Sequence, residues 1–198
     1  MISQSFYTQE DVISLAQAFL GKFLCTQIDG KYTCGMIVET EAYKAPEDYG
    51  SHAFDNKRTN RTEAMFYQGG TAYVYLIYGV YKLFNIVTHK KDVAHAILIR
   101  GLEPVEGIDI MLMRRQMDRL KRNLTAGPGL LTEALGIELQ HNKTTLTGEV
   151  IWIEDRGIII PENQIIASPR VGLNITEPYK SIPWRFRIKD NPWTSPTK

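Results

Sequence analysis

The sequence predicts an α+β fold: a single compact domain over residues 1–198 with a curved, mainly antiparallel β-sheet, peripheral helices and a protruding β-hairpin. Three observations carry this expectation. Two runs rich in β-branched and aromatic residues turn back on themselves at Asp29-Gly30 and Tyr78-Gly79. A segment near the N-terminus repeats its apolar residues at helical spacing. The last third alternates short strand-like runs with Pro and Gly turns, and no repeat, low-complexity tract or linker divides the chain. With 198 residues, 43% of them hydrophobic, one sizeable core can be buried.

In chain order, Thr8 is the expected N-cap of a helix, with Asp11 three residues on and Val12, Leu15, Ala16, Phe19 and Leu20 on one face before Gly21. The segments 22–28 and 31–39 flank Asp29-Gly30 as a hairpin with a type I′ turn, which sets Cys25 opposite Cys34 at a non-hydrogen-bonded pair. The two cysteines lack zinc-ligand spacing and are expected as buried thiols rather than a disulfide. The second strand then runs through Met36-Ile37-Val38-Glu39-Thr40-Glu41-Ala42-Tyr43. A period of two puts Glu39, Glu41 and Tyr43 on one face and Val38, Thr40 and Ala42 on the other. By itself such a Glu-x-Glu reads first as an edge strand ending in solvent.

Residues 44–61 read as a long polar loop carrying His52, either a surface histidine or a functional one. A second hairpin over 69–81 holds four tyrosines, with Tyr73 and Tyr75 sharing a strand face and Tyr78 at the tip. A strand over 94–100 ends on Arg100, which is either a solvated strand end or the partner of a buried carboxylate. An amphipathic helix over 105–121 with a basic end at Arg114, Arg115, Arg119 and Lys121 follows. Gly127-Pro128-Gly129 turns into a short helix over 130–135, and 150–154, 170–173 and 184–189 are the remaining strand candidates.

A formal net charge of +1 does not mark a general polyanion binder, so phosphate contacts would come from local patches: Lys57, Arg58 and Arg61, and the basic end of the 105–121 helix. The chain carries no Gly-x-x-x-x-Gly-Lys, Gly-x-Gly-x-x-Gly or Gly-x-Ser-x-Gly motif, so nucleotide-cofactor and serine-hydrolase readings lack support, and neither cofactor nor metal is expected. With no charged-then-apolar leader and no apolar run long enough for a bilayer, a cytoplasmic, nucleoid-associated protein without a membrane partner is expected.

Glu41 can act as a general base on water, and Tyr43, His52 and Tyr75 can form a stacking slot for a flat, cationic group such as a nucleobase. Tyr78 at a hairpin tip can wedge into a base stack. The same tyrosines would also serve a non-catalytic nucleic-acid-binding module.

Taken together, Ile37-Val38-Glu39-Thr40-Glu41-Ala42-Tyr43, Pro46-Glu47-Asp48 with His52, Thr59-Asn60-Arg61, Met65-Phe66 and Gly70 through Gly79 occur in one order along the chain. Asn85-Ile86, Leu98-Ile99-Arg100-Gly101-Leu102-Glu103-Pro104, Gly127-Pro128, Arg170-Val171-Gly172 and Asn191-Pro192-Trp193 continue it. This series resembles the alkyladenine, or 3-methyladenine, DNA glycosylases of the mammalian type, in their bacterial form. The resemblance implies a monofunctional enzyme that flips alkylated, deaminated or etheno purines out of duplex DNA and hydrolyses the N-glycosidic bond, initiating base excision repair. It implies that Glu41 activates the attacking water, that Arg100 and the Val171 carbonyl hold that water, and that Tyr43, His52 and Tyr75 enclose the extruded base. It further implies that Tyr78 intercalates and that Asn85 excludes guanine through its exocyclic amine. Lys57, Arg58, Thr59, Arg61, Arg114 and Arg115 are the candidates for the DNA backbone, and a monomer acting on double-stranded DNA is expected. One departure from the family pattern is Leu130, where a basic residue is common. The long N-terminal extension of the animal enzymes has no counterpart here.

Overall fold

A computed structural model describes residues 1–195 as helices packed against one antiparallel sheet. The first helices are α1 (Gln4–Tyr7) and α2 (Val12–Ala18). The N-cap of α2 is Asp11 and not Thr8: the Asp11 carboxylate accepts from Ile13 N at 3.0 Å, whereas the Thr8 hydroxyl donates back to the Ser5 carbonyl and closes α1.

Strands β1 (Phe23–Ile28) and β2 (Lys31–Lys44) form the first hairpin, with Asp29 at φ 54° and Gly30 at φ 70°, the left-handed pair that a type I′ turn requires. Cys25 faces Cys34 in the register. The second hairpin joins β3 (Ala72–Ile77) to β4 (Tyr81–Thr88) through Tyr78-Gly79, and β5 (His95–Glu106), β6 (Ile151–Glu154), β7 (Ile165–Ser168) and β8 (Arg185–Ile188) complete the sheet. The main strand order is β3-β4-β5-β2-β1-β6, with β8 pairing both β2 and β7. Strand β2 is the centre of this arrangement. Its N-terminal half pairs with β1 and its Glu39–Glu41 segment with β8, while β5 runs along its other edge from Cys34 to Lys44.

Further expectations are corrected. The strand bearing Arg100 does not end there but continues to Glu106, with register shifts near Glu39 that keep it paired to β2. The 105–121 helix is only α3 (Ile108–Arg114), because Gln116 adopts φ 51° and the helix cannot propagate past it. Residues 170–173 form bends rather than a strand, with Gly172 at φ 75°, and the nearby strand is β7 instead. The short helix begins earlier than expected, as α4 (Pro128–Leu135), with Pro in its first turn and left-handed Gly136 closing it.

The main core joins α2, β2, β5 and α4 through Leu15, Phe19, Ile37, Ile97, Ile99 and Leu135. The outward period-two face of β2 meets this core: Ala42 is fully buried, and the Thr40 hydroxyl donates to the Ala16 carbonyl at 2.8 Å. A second cluster gathers Ala45 and Ala53 from the polar loop with Met65, Phe66, Tyr73 and Val87. The loop that carries His52 is therefore anchored by its small apolar residues, and its histidine is held at a fixed distance from the sheet. Among the described residues no helix is long and apolar enough to cross a membrane.

Candidate active site

The opposite face of β2 brings Glu39, Glu41 and Tyr43 together as its alternation predicts. Glu41 is fully buried beneath a cavity of about 480 Å³ whose lining includes Tyr43, His52, Tyr75, Asn85, Arg100 and Val171. One oxygen of Glu41 accepts from the Val171 N–H at 2.8 Å and lies 3.4 Å from Arg100 Nη1; the other accepts from the Tyr43 hydroxyl at 2.9 Å. A buried carboxylate held by three donors has a fixed orientation. For Val171 the resolved contact is thus its amide N–H on the carboxylate.

Arg100 bridges two carboxylates. Its Nη1 faces Glu41, while its Nε donates to Glu39 Oε1 at 3.1 Å and its Nη2 to Ser195 Oγ at 3.3 Å. Glu39, with no exposed surface, also accepts from Arg185 Nε at 2.7 Å, Ser195 N at 2.5 Å and Ser195 Oγ at 2.8 Å. The result is an alternating row of Glu41, Arg100, Glu39 and Arg185 in which every charge has an opposite neighbour. Gly101 makes room for it: a Cβ there would lie 2.7 Å from the Trp193 carbonyl and 3.3 Å from the Glu39 side chain. Burial opposes the charge of Arg100, but the two carboxylates outweigh it and raise its pKa, so it remains a fixed cation.

A second buried pair aligns the other side. Arg170 binds Asp48 with two bonds of 2.6 and 2.7 Å, donates to the Ala42 carbonyl at 3.0 Å, and stacks over the Tyr43 ring at 4.6 Å. Since Arg170 directly precedes Val171, this clamp sets the amide that holds Glu41. Gly50 permits the clamp, because a Cβ would sit 2.8 Å from Arg170 Nη2.

Within the cavity, His52 Nδ1 lies 2.8 Å from the Tyr73 hydroxyl, and its ring packs edge-on against Tyr75 with centroids 4.6 Å apart. Arg61 stands behind this wall, 5.2 Å from the Tyr75 centroid and 3.5 Å from His52 Nε2. Burial, reinforced by the Arg61 charge, pulls the His52 pKa down to about 4, so its ring is neutral at pH 7. Burial pushes Tyr73 up to about 12 and raises Tyr43 and Tyr75 as well, which keeps all three as protonated donors. Asn85 donates from Nδ2 to the Tyr73 carbonyl at 3.1 Å, which fixes its amide in the cavity lining near Leu83 and Leu98. Tyr78, 82% exposed at φ 52°, projects from the hairpin turn beside the cavity mouth.

The basic candidates separate. Lys57 and Arg61 are exposed, Arg61 beside the wall, and the Thr59 hydroxyl bonds Thr62. Arg58 is paired with Glu63 and Asp92. Arg114 donates to the carbonyls of Ile28 and Ala134, and Arg115 pairs with Glu133, so both are engaged in holding α3 against α4 and β1. Sequence reasoning did not assign roles to Asp48, Tyr73, Arg170, Arg185 or Ser195. Asp48 and Arg170 stood inside matched motifs and could have been picked out there; nothing local marks Arg185 or Ser195. Among the described residues no three His, Cys, Asp or Glu side chains converge as a metal site would require.

The chain matches the profile of the methylpurine-DNA glycosylase family over residues 5–192. A protein of Chlamydia felis is 43% identical over 189 residues, covering 95% of this chain and 96% of that one. A Clostridium perfringens protein is 41% identical, with 98% of each chain covered, and one from Bacillus cytotoxicus is 40% identical with 96% and 97% covered. All three are provisionally named 3-methyladenine DNA glycosylase.

Proposed function

The chain belongs to the methylpurine-DNA glycosylase family, and from that premise we propose that it acts as one domain that removes alkylated purines from duplex DNA by Glu41-activated hydrolysis. The single observation that carries this reading is the convergence of Glu41, Arg100 and the Val171 amide beneath an aromatic-lined cavity wide enough for a base. Alkylation at N3 or N7 makes a purine a cation with a weakened glycosidic bond. The catalyst must therefore bind the extruded base, supply water and stabilise a developing oxocarbenium ion. The faces of Tyr43 and Tyr75 attract a cationic ring, and a neutral His52 does not repel it. The anionic Glu41 can orient the water and stabilise the positive sugar. Arg100 lies 3.4 Å from that carboxylate, and Tyr78 fills the stack the base has left. Contacts to the DNA backbone fall to the exposed Lys57 and Arg61 first, since Arg58, Arg114 and Arg115 already have partners within the protein. Among the described residues no lysine lines the cavity, which supports hydrolysis to an abasic site rather than a strand break.

The test is a duplex oligonucleotide carrying one alkylated purine. Scission at the lesion only after alkali is expected for the wild type, and no scission for Glu41→Gln with duplex binding retained. Near-wild-type turnover by Glu41→Gln removes Glu41 from the mechanism. Retention of the duplex without scission by the wild type favours a non-catalytic binding module.

A further inference from the structure

Away from this cavity, toward the hairpin end of β1 and β2, lies a second cluster of reactive groups that base excision does not use. Cys25 and Cys34 are directly opposed, both fully buried, with their sulfurs 2.7 Å apart. Arg156 reaches over them: its Nη2 is 3.4 Å from Cys34 Sγ and 4.0 Å from Cys25 Sγ, and its side chain is 31% exposed. The Tyr32 hydroxyl donates to Cys25 Sγ at 3.6 Å and lies 3.2 Å from the same Arg156 nitrogen. A thiol becomes a nucleophile as its thiolate, and a thiolate is stabilised by a nearby cation and hydrogen-bond donors.

We propose that Cys34 and Cys25 form a peroxide-reactive dithiol, in which the Cys34 thiolate is the attacking sulfur, Cys25 the resolving one and Arg156 the cation that activates the pair. Both sulfurs are covered in the reduced fold, so the part-exposed Arg156 side chain over them shifts to admit the hydroperoxide, and the Cys34 sulfur attacks one of its oxygens. The O–O bond breaks, Cys34 becomes a sulfenic acid, and water or the corresponding alcohol leaves with the proton of the thiol. The Cys25 sulfur then displaces the sulfenic oxygen as a second water, forming the cross-strand disulfide. Two thiols are oxidised by two electrons and one peroxide is reduced.

The asymmetry between the two sulfurs follows from their neighbours. Arg156 Nη2 lies nearer Cys34 than Cys25, at 3.4 against 4.0 Å. The hydrogen bond shared with Cys25 holds Cys34 below the ordinary thiol range against the opposing effect of burial, with Tyr32 and the Arg156 charge adding to it, whereas the same shared bond and burial raise Cys25. Closing the bond requires little backbone movement, since the two residues are directly opposed across paired strands.

The experiment exposes reduced, folded protein to graded hydrogen peroxide, then denatures it, alkylates the remaining thiols and measures peptide masses. Both alkylations should disappear together, replaced by a linked pair of peptides containing Cys25 and Cys34, at doses that leave exposed Met113 unoxidised. Cys25→Ser should leave a sulfenic acid on Cys34 that dimedone traps. In Cys34→Ser, Cys25 should react about tenfold or more slowly than Cys34 does in the wild type. Arg156→Gln should slow the wild-type reaction and Arg156→Lys should restore it, which separates the positive charge from the hydrogen-bond geometry of the guanidinium. If both wild-type thiols are still alkylated when Met113 has become the sulfoxide, or if Cys25 reacts as fast without Cys34, the proposal fails. The wild-type measurement stands even if a variant does not fold, and it is independent of glycosylase activity.

Discussion

Glu39→Gln tests the charge row behind the cavity most directly. The substitution keeps the volume of a fully buried side chain that accepts four hydrogen bonds, two of them from the guanidinium groups of Arg100 and Arg185. The Gln oxygen can still serve some of these donors, but its amide nitrogen cannot accept, and the anion between the two cations is gone. Bonds to charged groups contribute about 1.5–3 kcal/mol each, and stripping the partner from a buried ion pair costs about 3–5 kcal/mol. We therefore expect a stability loss of about 3–5 kcal/mol in urea unfolding. Arg100 would retain Glu41 as its only carboxylate and would lose its fixed position. A shift on the order of 1 Å at a catalytic group is expected to slow single-turnover excision by up to about 100-fold. Glu41→Gln supplies the contrast: excision lost by a factor of about 10²–10⁴, the range expected for a general base, with a smaller change in stability. Should Glu39→Gln unfold within about 1 kcal/mol of the wild type and excise at the wild-type rate, the row would not be what positions Arg100.

Acidification should destabilise the fold in a defined window. Burial depresses His95 and His52 to about 4 in the native state, against about 6.5 in the unfolded chain. Their contribution is complete above pH 6.5 and is lost as pH falls toward 4, because the unfolded state takes up protons first. For the well-buried His95 this amounts to roughly 3 kcal/mol; urea midpoints at pH 7.5, 6.0 and 5.0 should fall, and His95→Gln should flatten the trend. Asp48→Asn should remove about 3–5 kcal/mol and slow excision, by releasing the buried Arg170 that positions Val171; full activity would show that the clamp does not set that amide. Tyr78→Ala should change stability by less than about 0.5 kcal/mol, as befits an exposed tip, yet reduce excision from duplex DNA; equal excision by both proteins would mean that Tyr78 does not hold the duplex open.

Much of the site was legible in the chain because it depends on local rules. Period-two alternation puts Glu39, Glu41 and Tyr43 on one face, and the observed Tyr43–Glu41 hydrogen bond is its direct result. The turn at Asp29-Gly30 fixed the Cys25–Cys34 register, and Tyr78-Gly79 fixed the exposed tip. Helix boundaries were less legible. Whether Thr8 or Asp11 caps depends on which carbonyl each side chain reaches, and the end of α3 depends on a left-handed Gln116 that no propensity predicts.

What the sequence alone determined was therefore the set of side chains that strand alternation and glycine turns present, together with the family whose motifs they form. The tertiary structure decided which of them are buried and charged against one another. Glu39 has the composition and spacing of a solvated strand residue, yet it holds Arg185 and Ser195, 146 and 156 positions away. Asp48 meets Arg170 across 122 positions. Such pairings form because β8 lies against β2 and the segment after it folds over Gly101. Local periodicity governs only neighbours along one element, whereas the energy of a buried charge depends on which distant element closes over it.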